Sequence, residues 1–155
     1  MIKIDSLRAA LELALPELRS DPDKLVIYVD RGRIVSRLSP GLAFEYRYEA
    51  TLWLPGLTGG SDRIMVPLLL WLRTNQPDIF QRFDRDDTAI AFQADIIDST
   101  TADVIIKFEL TEGVVATARG DGSGWDIDRT AEPTLTEEAL ADAILAVIDP
   151  RDANA

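Results

Sequence analysis

The chain has 155 residues, a net charge of −11, and neither cysteine nor histidine. That length is most simply one domain, able to bury about 68–70% of its unfolded surface without disulfide or metal. The missing residue types exclude thiol chemistry, imidazole bases, Ser-His-Asp triads and the usual zinc sites.

The opening MIKIDSLRAALELALPEL carries Asp5 and Glu12 among its apolar residues. It is read as no signal peptide, and no segment approaches the 18 or more apolar residues of a membrane span. It is predicted to be a short helix capped by Asp5 or Ser6. Ile4 would staple onto its first turn, and Leu7, Leu11, Ala14 and Leu18 would form the apolar stripe. Pro16 ends or kinks it near Leu15. After the turn cluster Ser20 to Asp23, Lys24 to Asp30 reads as a buried strand, Arg31-Gly32 as a tight connection, and Arg33 to Leu38 as the antiparallel partner.

Ala43 to Leu54, AFEYRYEATLWL, alternates almost without a break and is the predicted central strand. Phe44, Tyr46, Tyr48, Ala50, Leu52 and Leu54 share one face, and Glu45, Arg47, Glu49, Thr51 and Trp53 the other. At roughly 3.3 Å per residue it spans about 40 Å, enough to cross a domain and protrude. Pro55 to Gly60 stops it.

A helix follows over SDRIMVPLLLWLRTNQ, capped by Ser61 or Asp62, with a bend in its first turn at Pro67 or a regular start near Val66. Val66, Leu69, Leu70 and Arg73 are read as one face, thickened by Leu68, Trp71 and Leu72. The central strand is expected to lay Phe44, Tyr46, Tyr48 and Leu52 against Leu69 and Leu70. Asp78 to Phe83 adds a turn.

Thr88 to Ile97 and Asp103 to Thr111 are predicted to pair as a hairpin across Asp98 to Thr101. Their apolar faces are Ile90, Phe92, Ala94 and Ile96, and Val104, Ile106, Phe108 and Leu110. Gly113 to Ala118 reads as a separate short edge strand, and Trp125 to Ile127 as another. Thr134 and Glu137 match a capping box opening a last helix with Leu135, Leu140, Ile144 and Val147. Residues 151–155 are expected to be a disordered tail. The fold class is α+β, a single domain over 1–150 with a mainly antiparallel sheet and flanking helices.

Several stretches suggest chemistry. Arg119-Gly120-Asp121 spells an adhesive tripeptide, but the glycines that follow make it a flexible turn. The same loop lacks the acid spacing of a calcium hand. Asp84, Asp86 and Asp87 cluster, as do Asp95, Asp98 and Asp103, and carboxylate groups of this kind serve metal-dependent hydrolases. Aspartates flanking a hairpin turn are also expected on backbone grounds. A small hydrolase built on Asp95, Asp98 and Asp103 is the alternative function. There is no Walker loop or dinucleotide fingerprint.

Residues 1–83 hold 11 basic and 10 acidic side chains, and residues 84–155 hold 5 basic and 17 acidic. The surplus acid disfavours nucleic-acid wrapping. The two unequal halves suit either plain solubility or a head-to-tail contact between copies. Arg33, Arg37 and Arg47, with Trp53 on the polar face of the central strand, are the candidate subunit or partner interface. Cross-strand ion pairing at a solvated surface is the other reading, and composition alone leaves both open.

The segments MIKIDSLRAALELALPEL, IVSRLSPGLAFEYRYEATLWL, MVPLLLWLRTNQP and FQADIIDSTTADVIIKFELTE together resemble the tail completion protein R family of temperate contractile-tailed phages, over residues 1–135. Ser39 to Tyr48 and Met65 to Pro77 match most sharply. The resemblance implies a tail-terminator-like assembly factor with no catalytic residue, metal or cofactor. Such a protein finishes the tail at its head-proximal end as a ring, commonly hexameric. It implies as partners further copies of the chain, the tail tube and sheath proteins, and the head-tail connector or neck. No membrane or sequence-specific nucleic acid is implied. The implied location is the virion tail, with the host cytoplasm during assembly and a prophage as the genomic home. An adaptor of another contractile machine is a further alternative.

Overall fold

The long alternation centred on Ala43 to Leu54 sets up the sheet. In the computed structural model, which describes residues 1–38, 41–80 and 89–132, it becomes β2, Leu42–Thr58. On one side β2 pairs with β1, Val26–Ser36; on the other it pairs with β4, Thr101–Ala118. β3, Ile90–Ile96, and β5, Trp125–Arg129, both pair with the far edge of β4. β3 runs beside the first half of β4 and β5 beside the last residues, so the two edge strands occupy successive stretches of one neighbour. All pairings are antiparallel. The architecture is α+β, as the pattern of elements predicts.

One face of this sheet carries the helices. α1, Ile2–Ala14, ends at the extended Leu15, and Pro16 opens the short α2, Pro16–Ser20. This is the break expected from proline, which fits the first turn of a helix and not its interior. α3, Asp62–Asn75, packs beside α1. Buried against Tyr48, Ala50, Leu52 and Leu54 of β2 and Val104, Ile106, Phe108 and Leu110 of β4 are Leu7, Leu11, Leu15 and Leu18 from the first helices. Ile64, Leu68, Trp71 and Leu72 complete the core from α3. Each fully buried leucine contributes about 1.5–3 kcal/mol relative to an exposed one.

The structure differs from the sequence reading at several elements. α1 starts at Ile2, so neither Asp5 nor Ser6 is its cap. The Ser6 hydroxyl instead accepts the Trp71 indole N–H at 3.0 Å, tying α1 to α3. Ala14 is exposed and Leu15 is buried in its place, because the helix has ended there. α3 runs unbroken through Pro67. Its buried face is the i, i+4, i+7, i+8 set from Ile64 rather than the set from Val66, so Leu69 and Leu70 point away from β2 and stay exposed. An all-round apolar run such as PLLLWL leaves that choice to packing.

Arg31-Gly32 is no turn. β1 passes straight through it, with a bulge between Val29 and Arg31 that absorbs one residue. β2 likewise continues past Pro55, because a second bulge forms between Leu54 and Leu57. Gly56 there has φ +63, which favours glycine, and its N–H donates to the Asp103 carboxylate at 2.7 Å. Gly113 also fails to divide two strands. β4 runs through it, and a Cβ at this position would lie 2.9 Å from the Thr130 hydroxyl, so glycine serves close approach. The β3–β4 hairpin forms as expected, with Ile90, Phe92, Ala94 and Ile96 opposite Phe108, Ile106, Val104 and Ala102. The proposed last helix, the tail at 151–155 and the cluster Asp84, Asp86 and Asp87 lie outside the described residues.

Leu52→Ala is expected to cost about 2–5 kcal/mol in urea denaturation, while Leu70→Ala should stay within about 0.5 kcal/mol. Similar losses at both positions would mean that α3 presents a different face to the sheet.

Candidate functional site

The described helices cover only part of the long strands. Beyond Tyr48 and Leu110, the ends of β1, β2 and β4 together with β5 continue as a four-stranded arm. Its root is a buried polar cluster around Glu112, which is only 5% exposed although it belongs to the apolar face of β4. The backbone N–H groups of Ile2 and Lys3 donate to its two carboxylate oxygens at 3.2 Å each. The Tyr48 hydroxyl donates at 2.5 Å, and the Arg129 guanidinium at 3.4 Å. A side chain more than a hundred residues away therefore caps α1, answering two of its four unpaired amides and complementing the positive end of the helix dipole. A buried carboxylate is tolerable because every approach to it carries a donor.

A second buried hub adjoins it. Lys3 Nζ donates to Gln76 Oε1 at 2.7 Å and to Glu132 at 2.5 Å. The same Gln76 oxygen accepts the Thr111 backbone N–H at 3.0 Å, and its amide nitrogen donates to the Thr111 hydroxyl at 3.0 Å. Thr111 falls in the gap on β4 between the stretch paired by β3 and the stretch paired by β5. Gln76, just past α3, supplies the acceptor that a neighbouring strand would otherwise provide.

The arm has two unlike faces. On the helix side lie Ile34, Leu42, Trp125 and Ile127, exposed by 65, 46, 52 and 61%. They surround Phe44 and Tyr46, whose rings meet edge to face at 5.2 Å. Arg129 lies 6.0 Å from the centre of the Tyr46 ring. On the other face Arg33 stands directly opposite Arg47. Like charges so placed repel, and the Glu45 carboxylate, bonded to the Arg47 Nε, offsets one of them. Arg37 follows directly after β1.

The three arginines singled out from sequence are thus brought together on the arm. Trp53 is not with them. It shares their side of the sheet, where it sits beside Val26 and Ile105, but lies about 20 Å farther along β2. Between them is a cross-strand cluster in which Asp30 accepts from Lys107 at 3.0 Å and from the Thr51 hydroxyl at 2.9 Å. The Lys107 bond is the main cause of a lowered Asp30 pKa.

The hydrolase alternative finds its carboxylates occupied by backbone. Asp98 accepts the Thr100 N–H at 2.7 Å, the largest cause of its lowered pKa, and Asp103 holds the Gly56 bulge. Asp95 faces Asp103 across the hairpin. Among the described residues no three acidic groups meet as a set that could hold a metal ion.

Glu112 goes unread from sequence, and Trp125 and Ile127 are read only as part of an edge strand. Glu112 had a signal: it continues the spacing of Val104, Ile106, Phe108 and Leu110, where a carboxylate is out of place. That signal is lost once the strand is ended at Thr111.

The arm thus gathers exposed apolar side chains on one face of an α+β domain and arginines on the other. A family model described as P2 phage tail completion protein R (GpR) matches residues 1–133. Tail completion protein R of Escherichia phage P2 is 43% identical over 112 residues, which cover 72% of each chain. No solved structure matches. The chain belongs to the tail completion protein R family, and its role is in completing the phage tail.

Removing the Glu112 carboxylate with Glu112→Ala should cost about 3 kcal/mol, since each buried donor left unsatisfied costs about 1–3 kcal/mol and water recovers part. Urea denaturation followed by circular dichroism checks this, and a loss under about 0.5 kcal/mol would remove Glu112 as the anchor of α1.

Burial, reinforced by the Glu112 carboxylate, pushes the Tyr48 phenol far above its ordinary value. The fold uses the neutral phenol, so this stabilisation is complete below the ordinary tyrosine pKa of about 10 and is lost as the pH rises beyond it. Wild type should therefore lose stability relative to Tyr48→Phe above pH ~10, by up to about 1.4 kcal/mol per pH unit. A constant gap between the two proteins from pH 9 to 11.5 would contradict the buried phenol.

Proposed function

We propose that the protein acts by binding alone, as a tail terminator. It stacks on the last ring of the tail tube at the head-proximal end, stops further growth of tube and sheath, and presents a docking face to the head connector or neck. It does so as a homo-oligomeric ring, hexameric on the tail, formed in the host cytoplasm and retained in the virion. The observation that carries this reading is the arm, which projects past the helices with exposed apolar side chains on one face and arginines on the other. A globular domain gains nothing in stability from displaying Ile34, Trp125 and Ile127 to water. Residues 1–83 sum to +1 and residues 84–155 to −12, which gives identical subunits unlike surfaces for a head-to-tail contact. Arg33, Arg37 and Arg47 belong to the subunit interface. Trp53, at the far end of the same side, belongs to a separate contact with the tube or neck.

Tail tubes assembled without the protein, then imaged by negative stain with and without it, test the reading. With the purified chain present, extra density should sit at one end only and the tubes should cease to lengthen. Arg47→Glu should slow capping at low salt, with a smaller effect of the substitution at 1 M, where exposed charges are screened within ~3 Å. Tubes that keep growing at the wild-type protein's saturating concentration would end the terminator reading.

A further inference from the structure

The sheet has two open edges at the arm. Among the described residues, nothing pairs with the outer edge of β1 or with the outer edge of β5. Each edge offers unpaired backbone donors and acceptors, the feature by which one chain adds a strand to another.

The side chains at these two edges match. Register places Trp125 opposite Ala118, Ile127 opposite Ala116 and Arg129 opposite Val114, so Trp125 and Ile127 lie on the helix side of the sheet. Asp126 and Asp128 therefore lie on the other side. On β1, Ile34 stands opposite Tyr46 and belongs to the helix side, while Arg33, opposite Arg47, belongs to the other. One edge thus carries Trp125, Ile127 and Arg129 on the helix side and the acids Asp126 and Asp128 on the other; the second carries Ile34 and Ser36 on the helix side and Arg33 with Val35 on the other. Arg33 and Asp128 have no ion-pair partner among the described residues, whereas Asp126 is held by Arg119 at 2.7 Å.

We propose that β5 of one copy pairs antiparallel with β1 of the next, so that the sheet continues from subunit to subunit. Ile127 stands opposite Ile34, and Asp128 opposite Arg33. The sense follows from topology. β1 and β4 run the same way and β5 runs against both, so copies related by rotation about an axis along the strands present β5 antiparallel to the next β1. The charges select this arrangement over the two-fold alternatives. Pairing β1 with β1 would oppose arginines, and pairing β5 with β5 would oppose aspartates, which disfavours both symmetric contacts. A contact between two different patches is the kind that closes into a ring. The inference rests on the terminator reading for its setting and names the strands that join the subunits.

Engineered cysteines test it cleanly, since the chain has none of its own. Within one chain β1 and β5 are separated by two strands, roughly 14 Å, too far for an internal disulfide. The double variant Ile34→Cys, Ile127→Cys is oxidised both as concentrated free protein and on tail tubes. Disulfide-linked dimers and higher multiples are expected. Val35→Cys with Ile127→Cys, whose side chains would leave opposite faces of the joined sheet, should stay monomeric. Adding Arg33→Asp to the first pair should lower the yield ~10-fold, and adding Asp128→Arg as well should bring it back within ~2-fold. Multiples without tube capping would uphold the strand pairing and remove the terminator reading. Capping with only monomers would remove the strand pairing and leave the terminator reading in place. Monomers without capping would overturn both.

Discussion

Glu112 sits on the helix-side face of β4, where the preceding inward positions are aliphatic or aromatic, and its carboxylate is satisfied there by the first amides of α1, the Tyr48 hydroxyl and Arg129. This arrangement settles where the helical layer begins. An α1 anchored at Ile2 and Lys3 lays Leu7 and Leu11 onto β2 and β4, and among the described residues no helix lies over the sheet beyond Tyr48. The same carboxylate recruits Arg129, so the start of α1, the middle of β2 and the end of β5 meet at one buried charge. Lys3, Gln76 and Thr111 extend the join to the end of α3 and to the stretch of β4 between the residues paired by β3 and those paired by β5.

The arm exists because strands and helices here differ in length. β2 has 17 residues and β4 has 18, whereas α1 has 13 and α3 has 14. A strand advances about 3.3 Å per residue and a helix 1.5 Å, so two helical turns of cover are spent over a few strand positions. The strands outrun α1 and α3, and their alternating pattern persists where none of the described helices packs on it. Phe44, Tyr46 and Ile34 are inward-facing residues by period but only partly covered in the single chain. The surface proposed for subunit contact is therefore an extension of the core pattern rather than a separate motif, which is why no short sequence signature marks it.

The hairpin aspartates illustrate how chemistry-bearing residues can be taken up by architecture. Asp98 closes the β3–β4 turn on Thr100, and Asp103 fixes the bulge at Gly56 that lets β2 continue past Pro55. Asp30 is engaged with Lys107 and Thr51 across three strands. In each case a nearby donor, rather than a ligand, answers the carboxylate.

Sequence by itself determined the central strand, its inward face from Tyr48 to Leu54, the β3–β4 hairpin, the break at Pro16 and the α+β class. These follow from local rules, namely period-two alternation, turn chemistry and the missing N–H of proline. Tertiary structure alone decided which face of α3 is buried, because a run of consecutive leucines satisfies more than one helical face and only the neighbouring α1 and sheet choose between them. It alone joined the segments on either side of Arg31-Gly32 and of Gly113 into single strands, since a glycine reads locally as a turn while ladder pairing with β2 carries the chain straight through. It alone brought Arg33, Arg37 and Arg47 together and left Trp53 apart. And it alone made Glu112 a helix cap, an interaction spanning 110 positions that no local pattern encodes and that only the meeting of the first helix with the fourth strand creates.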